Sequence, residues 1–416
     1  MSQSLKILVL AENLDINASS AAKGRLSLIR NLLKSDVAIK VLHYSRQEIS
    51  IEGCKSVSIK EKKSIYYFLG KLVILLQRFT ALKLNELVEK NRGFSFTHTA
   101  DALSMKKALI QEDFQSYDFV LTLSLASSFR THKALLYLPQ WHSKWLAYVH
   151  DPYPMHSYPR PYDWVEPGHQ YKRNFFKEIS LKACRIIYPS QLLAQWMESY
   201  YHEAQSKAIV IPHLIDDSLQ INTDLPSYFQ PEYFNILHAG LLMSARDPRT
   251  LLAAFQQFLI EIPEAQKDAR LIFVGRESVF HNEIRELQKN TLQIILSAGY
   301  ENFDKTYSMQ LAAAINVILE AKGPLSPFLP GKFPHCVAAN KPILLLGPHY
   351  SESRRILGND YPYYSEIDDQ LHIKSIIIEL YKLWKNDRLK FNLDMPAVKT
   401  YLSNETLEKA LKKLES

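Results

Sequence analysis

Residues 315–347 read INVILEAKGPLSPFLPGKFPHCVAANKPILLLG, and this stretch decides the fold. It begins and ends with short apolar runs, and runs of this length bounded by glycine are typical of buried strands. Between them, the Pro-Gly-Lys turn at residues 330–332 precedes a short apolar segment, which predicts a helix beginning at Lys332 or Phe333. A strand, a helix and a second strand in this order predict parallel strands covered by a helix.

The same alternation continues towards the N-terminus. Short β-rich runs are separated by longer amphipathic segments, which predicts an α/β fold with a parallel sheet in each half of the chain. The runs are LKILVLAEN, VAIKVLHYS, YDFVLTLS, WLAYVHD, RIIYPS and AIVIPH in the first half, and FNILHAG, ARLIFVG and LQIILSAG before the opening stretch in the second.

The length of 416 residues is more than one hydrophobic core usually supports, so we expect two domains. Residues 215–234 are polar, carry two prolines and lack a helical or strand period, which indicates a linker. The predicted organisation is an N-terminal domain at 1–214, a C-terminal domain at 235–395 and a helical segment at 396–416. Return of that segment to the N-terminal domain is one alternative.

Composition excludes several classes of protein. Cys54, Cys184 and Cys336 stand far apart, which disfavours a disulfide framework or a thiolate metal site and favours a reducing compartment. Apolar runs are too short for a signal peptide or a spanning helix, so we expect a cytoplasmic protein. A net charge of +7 suits nucleic acid, an anionic membrane surface or phosphorylated ligands. Scattered basic residues without an aromatic-basic module disfavour nucleic acid.

Glycines mark one edge of the second predicted sheet. Only 12 occur in the chain, and five of them close β-type runs in the second half: Gly240, Gly275, Gly299, Gly323 and Gly347. Open α/β sheets bind ligands at the carboxyl ends of their strands, so this edge is predicted to face a ligand. The alternative is that each glycine only makes the turn into a helix.

Four residues of the opening stretch, Ser326, Gly331, Lys332 and His335, are candidates for binding an anionic donor. A helix beginning at the Pro-Gly-Lys turn would direct free backbone N–H groups towards an anion, with Gly331 allowing close approach and Lys332 adding a full charge. Ser326 begins the same loop. The alternative is an ordinary turn with Lys332 in solvent.

A second candidate loop lies in ILHAGLLMSARDPRTLLAAF, residues 236–255. The pattern predicts a strand, a loop of small residues, and a helix with Asp247 as its N-cap and Pro248 at its first position. Arg246, at the tip of the loop, can bind a diphosphate through two parallel hydrogen bonds. A salt bridge to Asp247 or to another surface carboxylate is the alternative.

In the first half, WLAYVHDPYP ends a buried strand with His150 and Asp151. A histidine at the carboxyl end of a strand faces the ligand crevice in this architecture, so these two residues are candidate catalytic groups. A structural hydrogen bond is the alternative for His150. No metal-ligand spacing and no D-x-D tripeptide at a strand end is present, so we expect no metal site.

The loop after the first strand, AENLDINASSAAKG, lacks the G-x-G-x-x-G turn of a dinucleotide-binding fold. Ser19 and Ser20 could still allow a close approach of the backbone to a ligand. They are candidate acceptor or loop residues.

In this order, the segments resemble the bacterial glycosyltransferases called group 1, or family 4, of the surface-polysaccharide type. The resemblance covers roughly residues 5 to 350, and its matching segments are YDFVLTLS, WLAYVHDPYP, IIYPS, VIPHLID, ILHAG with RDP, FVG, SPFLPGK and NKPIL.

The resemblance implies the GT-B fold, in which two Rossmann-like domains face a cleft that holds a UDP- or GDP-type sugar. Arg246 and Lys332 would bind the diphosphate, Tyr300 would lie near the nucleobase, and His150 would approach the transferred sugar. The N-terminal domain would hold a glycan or lipid-linked acceptor. The implied transfer needs no metal or other cofactor and retains the anomeric configuration, with the leaving phosphate oxygen acting as the base.

Two features depart from the family pattern. Members often carry glutamates spaced E-x7-E, the second one holding the ribose, where this chain has Pro327 and His335. The lysine of the G-R-L-x-x-x-K-G loop is also absent from GLLMSARDP. Two rival functions therefore stay open: an inactive nucleotide-sugar-binding protein, and a nucleotide-sugar epimerase of the same fold. The epimerase would need several carboxylates at strand ends, where the sequence predicts none.

Residues 60–92 combine an apolar helical face with flanking lysines and arginines. Such a helix can lie on an anionic membrane, where a lipid-linked acceptor would be found. The alternative is an ordinary helix packed on the core.

Overall fold

The structure is a computed structural model, and it forms two compact units. The first unit comprises Met1–Tyr158, Asp163–Leu214 and Asn404–Ser416, and the second comprises Pro159–Tyr162 and Ile215–Ser403. The residues that the structure describes are 4–16, 20–80, 82–219, 221, 224–299, 301–388 and 391–415.

The first unit contains a parallel sheet of seven strands in the order β3-β2-β1-β4-β5-β6-β7. All six runs predicted from the first half form strands, and the short β3 adds an edge that the sequence did not predict. The strands are β1 Lys6–Ala11, β2 Ala38–His43, β3 Lys55–Ser58, β4 Phe119–Leu123, β5 Trp145–Tyr148, β6 Arg185–Tyr188 and β7 Ala208–Val210.

Helices cover both faces of this sheet. Side chains alternate between two cores along β1: Ile7 and Val9 enter one cluster, while Leu8 and Leu10 enter the other. The helices are α1 Ser20–Lys34, α2 Ile65–Phe79, α3 Leu84–Arg92, α4 Phe96–Ile110, α5 Arg130–Leu136, α6 His169–Lys182 and α7 Gln191–Tyr200.

The second unit contains a parallel sheet of six strands in the order β10-β9-β8-β11-β13-β15, and a small parallel pair, β12 with β14. The five runs predicted from the second half all form strands. The strands are β8 Phe234–Ala239, β9 Ala269–Val274, β10 Ile294–Leu296, β11 Ile315–Leu319, β12 Leu325–Ser326, β13 Ile343–Leu346, β14 Tyr350–Ser351 and β15 Tyr364–Ser365.

Short polar side chains begin several helices of this unit. The Asn302 side chain accepts a hydrogen bond from the Lys305 N–H at 3.0 Å, and the Ser351 Oγ accepts one from the Arg354 N–H at 3.1 Å. These bonds satisfy N–H groups that have no partner inside a helix. The helices are α8 Arg249–Glu261, α9 Ala265–Asp268, α10 His281–Asn290, α11 Phe303–Ala312, α12 Phe333–Ala338, α13 Glu352–Leu357, α14 Gln370–Asn386 and α15 Pro396–Tyr401.

The boundaries of the units differ from the predicted domains in three places. Residues 215–234 belong to the second unit, where Phe229 is buried in a cluster with Leu237, so this polar segment is part of a folded unit. Pro159–Tyr162 also belongs to the second unit. The C-terminal segment divides, because α15 belongs to the second unit while α16 (Asn404–Glu415) packs Leu407 into the core of the first.

Strand order reverses once in each sheet. The chain runs outward in one direction from β1 to β3 and then continues from β4 on the other side of β1, and the same reversal separates β8 from β11. Loops leaving two such neighbouring strands turn to opposite faces of the sheet and open a crevice between them. Each unit therefore has one place where its topology favours ligand binding.

We expect Gly168→Ala to lower the free energy of unfolding by about 2 kcal/mol or more, because the alanine would add both backbone strain and a steric clash. Gly168 has a φ of +69°, and a Cβ there would lie 2.1 Å from the Glu89 carbonyl oxygen. Urea denaturation measures the loss. Gly331→Ala is the matched control, because a Cβ at Gly331 meets nothing within 4 Å. Equal stabilities for the two variants would contradict the close contact.

Candidate functional site

The reversal point of the second sheet is built from loops that approach each other closely. Gly240 follows β8 and Gly275 follows β9, and a Cβ at Gly275 would lie 2.4 Å from the Gly240 carbonyl oxygen. Gly240 itself has a φ of +149°, a conformation that other residues rarely adopt. Both glycines therefore shape the loop after β8, at the strand edge that the sequence predicts to face a ligand.

Lys332 reaches into this reversal point from the start of α12. Its ammonium donates a hydrogen bond to the Val317 carbonyl of β11 at 3.0 Å. A Cβ at Gly240 would lie 3.7 Å from the same Nζ, so the ammonium also adjoins the loop after β8. The pKa of Lys332 is lowered to about 7, mainly by burial and in part by the positive charge of Arg246, while Cys336 and Glu320 oppose the shift. The ammonium thus lies between the two strands that flank the crevice.

Glu320 is a buried carboxylate that the sequence reasoning missed. It follows β11 directly and is 3% exposed. Its Oε1 accepts a hydrogen bond from the Ser353 hydroxyl at 2.6 Å, while Oε2 has no hydrogen-bond partner among the described residues. Burial raises its pKa to about 7, a rise that the Ser353 hydrogen bond opposes. The expectation that no carboxylate lies at a strand end of this edge is therefore wrong.

A pocket brings several of these side chains together within the second unit. Arg246, Glu320 and Ser326 line it, together with Phe328, Pro330 and Ala321. Ser326 is buried in β12, beside Ser351 of β14. Two of the residues predicted to bind the donor, Arg246 and Ser326, therefore share one pocket with the unpredicted Glu320.

The guanidinium of Arg246 is not neutralised by Asp247. Asp247 instead pairs with Arg249, whose Nε lies 2.9 Å from each carboxylate oxygen. Within the described part of the chain, the Arg246 side chain forms no hydrogen bond or ion pair, and its Nε is a buried donor without a partner. The salt-bridge alternative for Arg246 is therefore wrong.

The helix after this loop begins later than predicted. Its first residue is Arg249, and Pro248 occupies the N-cap position that the sequence analysis gave to Asp247. Asp247 still accepts a hydrogen bond from the Arg249 backbone N–H at 2.9 Å. The aspartate thus caps the helix from one residue further out, because the proline at the cap position offers no side-chain acceptor.

Arg160 and Tyr162 also line the pocket, although they lie far from it in sequence. A Cβ at Gly323 would lie 2.4 Å from the Arg160 carbonyl oxygen, so backbone packs against backbone there. The Tyr162 and Phe328 rings meet edge to face, with centroids 6.0 Å apart. Proline-rich sequence around residue 160 predicts only a loop, so these contacts could not be found from local pattern.

Gly331 and His335 are not among the residues that line this pocket. Gly331 is exposed and directly precedes Lys332, and α12 begins at Phe333 as predicted. His335 lies edge-on to two aromatic rings, with centroid distances of 5.2 Å to Phe303 and 5.5 Å to Tyr307. Its imidazole is therefore held on the α11 side of α12.

In the first unit, His150 follows β5 and stacks near His213, which follows β7, with ring centroids 6.3 Å apart. Burial lowers the pKa of His150 well below its usual value, and the nearby charge of Arg25 lowers it further. Burial also lowers the pKa of His213 to about 4. Both imidazoles are therefore neutral near pH 7. Asp151 is half-buried beside His150.

Arg25 fills the reversal point of the first sheet. Its side chain is fully buried and donates to the Asn13 carbonyl after β1 at 2.9 Å and to the Ser124 carbonyl after β4 at 3.0 Å. Glu12 lies next to it and accepts a hydrogen bond from the Arg130 N–H at 3.0 Å. These contacts tie the ends of β1 and β4 to α1 and α5.

Three predicted site residues have limited description. Tyr300 and Ser19 lie outside the described residues. Ser20 begins α1, and its side chain is likewise outside the described part. No group of three or more histidine, cysteine, aspartate or glutamate side chains in the described residues could hold a metal ion.

The sequence matches no protein-family model and no curated protein. Solved structures resemble this chain over nearly its whole length. A trehalose-phosphate synthase of Burkholderia xenovorans in complex with glucose-6-phosphate has a TM-score of 0.64 at 9% identity, with 99% of this chain and 100% of that chain covered. A sucrose-phosphate synthase of Thermosynechococcus elongatus has a TM-score of 0.61 at 11% identity, with 99% and 98% covered.

An E. coli trehalose-6-phosphate protein bound with UDP-2-fluoro glucose has a TM-score of 0.62 at 11% identity, with 99% of each chain covered. At these identities the likeness shows the fold, which is the predicted GT-B fold with a parallel sheet in each unit. These structural neighbours are GT-B glycosyltransferases, and those named here are not surface-polysaccharide enzymes. The surface-polysaccharide assignment is therefore not supported by them.

Within the described ranges, no helix has the length and hydropathy needed to cross a membrane.

We expect Glu320→Gln to change how stability depends on pH. Because the pKa of Glu320 rises from 4.5 to about 7 on folding, the unfolded chain releases this proton first. Wild-type stability therefore falls as pH rises from 4.5 to 7, by about 2 to 3 kcal/mol. Urea denaturation at about pH 5 and about pH 8 should show that the variant loses less stability over this interval. Glu232→Gln, at an exposed position of the same unit, should behave as wild type.

Proposed function

We propose that this protein is a glycosyltransferase that moves a sugar from a nucleoside diphosphate donor, of UDP or GDP type, to a glycan or lipid-linked acceptor. The transfer is metal-independent and retains the anomeric configuration. The donor binds at the reversal point of the second sheet. The proposal rests on the resemblance of the ordered motifs, on the GT-B fold, and above all on the charged groups at that point.

One observation carries the proposal: two cationic side chains converge where strand order reverses. Lys332 extends to the gap between β8 and β11, and Arg246 lines the adjoining pocket. The positive charge of Arg246 contributes to lowering the pKa of Lys332, so the two charges lie close to each other. The Glu320 carboxyl group also lies close enough to raise the pKa of Lys332, but its own pKa of about 7 leaves it partly protonated near pH 7, so the site keeps an excess of positive charge that favours a polyanion. A diphosphate carries the negative charge that such a site favours.

The same cations explain how the transfer proceeds. Breaking the bond between the sugar and the diphosphate develops negative charge on the leaving oxygen. Arg246 can contact that group with two parallel N–H donors, and Lys332 contributes a point charge. Lys332 is bonded to β11, and Arg246 lies in the loop after β8 with its Nε buried, so both are in place before the reaction and little reorganisation is needed. Arg160 lines the same pocket and is a third candidate contact with the donor.

Binding of the ligand would change the protonation state of Lys332. In the free protein its pKa is about 7, so part of the population is neutral near pH 7. A bound diphosphate would favour the charged form, because an opposite charge within a few ångströms raises the pKa of a lysine. Donor binding is then coupled to proton uptake, and it strengthens as pH falls towards 7.

The acceptor side of the proposal depends on the first unit. One structural neighbour is in complex with glucose-6-phosphate, which makes a phosphorylated sugar one acceptor class to test. His150 contributes to the transfer step in this proposal. A neutral imidazole can donate or accept a hydrogen bond to a sugar hydroxyl without introducing charge beside the developing oxocarbenium centre.

Glu320 keeps an epimerase of the same fold as a second candidate. Its raised pKa lets it hold or release a proton near pH 7, which general acid-base chemistry requires. An epimerase would convert the nucleotide sugar without an acceptor. Incubation of the protein with UDP- and GDP-sugars, with and without acceptors, followed by product analysis separates the two reactions. Binding without any conversion would indicate a catalytically inactive protein.

We expect Arg246 and Lys332 to bind the donor diphosphate jointly. A thermal-shift screen with UDP, GDP, ADP and CDP first identifies the nucleotide, since a ligand of the folded state raises stability. Arg246→Ala and Lys332→Ala should each weaken its binding by roughly 1.5 to 3 kcal/mol, the usual value of a charge-assisted hydrogen bond. The double variant should lose less than the sum, because both side chains contact the same phosphates.

The matched control for that cycle is Arg249→Ala. Arg249 is an exposed arginine three residues from Arg246, and its partner is Asp247. It should leave nucleotide affinity unchanged. Small, fully additive effects of Arg246→Ala and Lys332→Ala, equal to that of the control, would show that the donor binds elsewhere.

We expect His150→Ala to lower turnover by more than about tenfold while leaving nucleotide affinity unchanged. The reason is that His150 lies in the first unit and contributes to transfer in this proposal, whereas the nucleotide is held by the second. Steady-state kinetics and nucleotide titration measure the two effects. His202→Ala, at an exposed position of the first unit, is the control. Turnover equal to that of the control would exclude His150 from the mechanism.

A further inference from the structure

The helices α2 and α3 leave a large apolar surface uncovered. Among the residues that the structure describes, Gly70 is the single buried residue of α2, and α3 has no buried residue. The surface, called here the α2–α3 face, is formed by large aliphatic and aromatic side chains that are all exposed: Ile65, Phe68, Leu72, Leu75, Leu76, Phe79, Leu82 and Leu87. Exposed large apolar side chains gathered on neighbouring helices indicate a binding site, because scattered single residues are the normal case.

The residues of α2 form one continuous stripe. At about 100° per residue, positions 65, 68, 72, 75, 76 and 79 fall within an arc of about 100°. Phe68 is 59% exposed and Phe79 is 80% exposed, so the rings at both ends of the stripe lie in solvent. Lys71 lies three residues after Phe68, and Arg78 lies three residues after Leu75. The two basic side chains therefore follow one border of the stripe. The helix is therefore amphipathic with its apolar side turned outward.

The opposite side of α2 is firmly attached to the first unit. A Cβ at Gly70 would lie 2.9 Å from the Thr97 Oγ1 of α4, so the two helices touch without an intervening side chain. The Tyr66 and Phe96 rings meet beside this contact, with centroids 6.3 Å apart. α3 is held by an ion pair of 2.9 Å between Glu89 and Lys172. The outward stripe is thus presented on a fixed support.

The net positive charge around the α2–α3 face favours an anionic surface over a second copy of the chain as the partner that covers it. Residues 60–92 carry eight lysines and arginines and three glutamates. Glu89 pairs with Lys172, and Glu86 pairs with Lys83, so the acidic groups are largely neutralised. A second copy of the chain would bring the same cationic borders together, and like charges across an interface are unfavourable. An anionic surface satisfies both the apolar stripe and its basic borders.

We propose that the α2–α3 face docks the protein on an anionic lipid bilayer, with α2 lying in the plane of the interface. A helix of 15 residues is about 22 Å long and does not reach across a hydrocarbon core of about 30 Å. Its apolar stripe is buried about 5 to 10 Å into the boundary between the headgroups and the acyl chains. Lys71 and Arg78 then meet lipid phosphates at the border of the stripe. This inference does not require the proposed transfer activity.

Sedimentation of the full chain with vesicles tests the proposal. The vesicles contain equal parts of phosphatidylglycerol and phosphatidylcholine, and vesicles of phosphatidylcholine alone serve as the comparison. At low salt we expect binding to the anionic vesicles and much weaker binding to the neutral ones, with a loss of binding as salt rises. Absence of binding at low salt, or equal binding to both vesicles, would overturn the proposal.

Two pairs of variants locate the surface. Phe68→Ser with Phe79→Ser should reduce the vesicle partition coefficient about tenfold or more, because two large apolar groups no longer enter the bilayer. The matched control is Ile260→Ser with Leu371→Ser, which removes helix residues that are 75% and 68% exposed on the second unit. The control should bind as wild type. Equal losses in the two pairs would overturn the assignment.

A charge variant and the oligomeric state complete the test. Lys71→Ser with Arg78→Ser should weaken binding to anionic vesicles and leave the residual binding to neutral ones unchanged. Light scattering of wild type without vesicles should give a monomer. A dimer that Phe68→Ser with Phe79→Ser dissociates would show that a second copy covers the face and would overturn the proposal. Nucleotide thermal shifts should be the same in all these variants, which keeps this test independent of the proposed function.

Discussion

The interaction on which the candidate site depends is the hydrogen bond from the Lys332 ammonium to the Val317 carbonyl. It places a positive charge against the backbone of β11 at the point where strand order reverses, and burial there lowers the lysine pKa to about 7. Glu320, at the end of the same strand, responds in the opposite sense, since burial raises its pKa to about 7. Neither group is solvated well, and Arg246 adds a second positive charge. The result is a site whose charge state can change near pH 7 at little cost, and whose electrostatics favour an anionic ligand.

The sequence predicted the sheets well because each strand is a short apolar run that is buried on both faces. INVIL and ILLL, from the opening stretch, became β11 and β13, paired in parallel as expected. The positions of Arg246 and Lys332 in loops between strands and helices could also be predicted from pattern alone, whereas their binding of a donor stays a prediction. Glu320 was missed because it reads as the continuation of the apolar run INVIL, and its hydrogen-bond partner Ser353 lies 33 residues further along the chain.

What the sequence could not predict are contacts made by distant segments. Arg160 lines the pocket because its backbone packs against Gly323, and no local pattern connects these two positions. The polar segment 215–234 was interpreted as a linker, although Phe229 anchors it in a core of the second unit. In residues 60–92 the apolar period was visible, but periodicity does not tell which side of a helix packs. Gly70 decides that, because its missing side chain lets α4 approach, and the bulky residues are left on the outside.

The two sheets use the same topological feature in different ways. In the first unit, Arg25 fills the reversal point and donates hydrogen bonds to the carbonyls of Asn13 and Ser124. These bonds connect the ends of β1 and β4. In the second unit, within the part of the chain that the structure describes, the guanidinium of Arg246 has no ion pair, and its Nε is a buried donor without a partner. A buried, unpaired donor of this kind is costly in the free protein. Binding of an anion would remove that cost, which is the physical reason to propose that the donor site lies in the second unit rather than in the first.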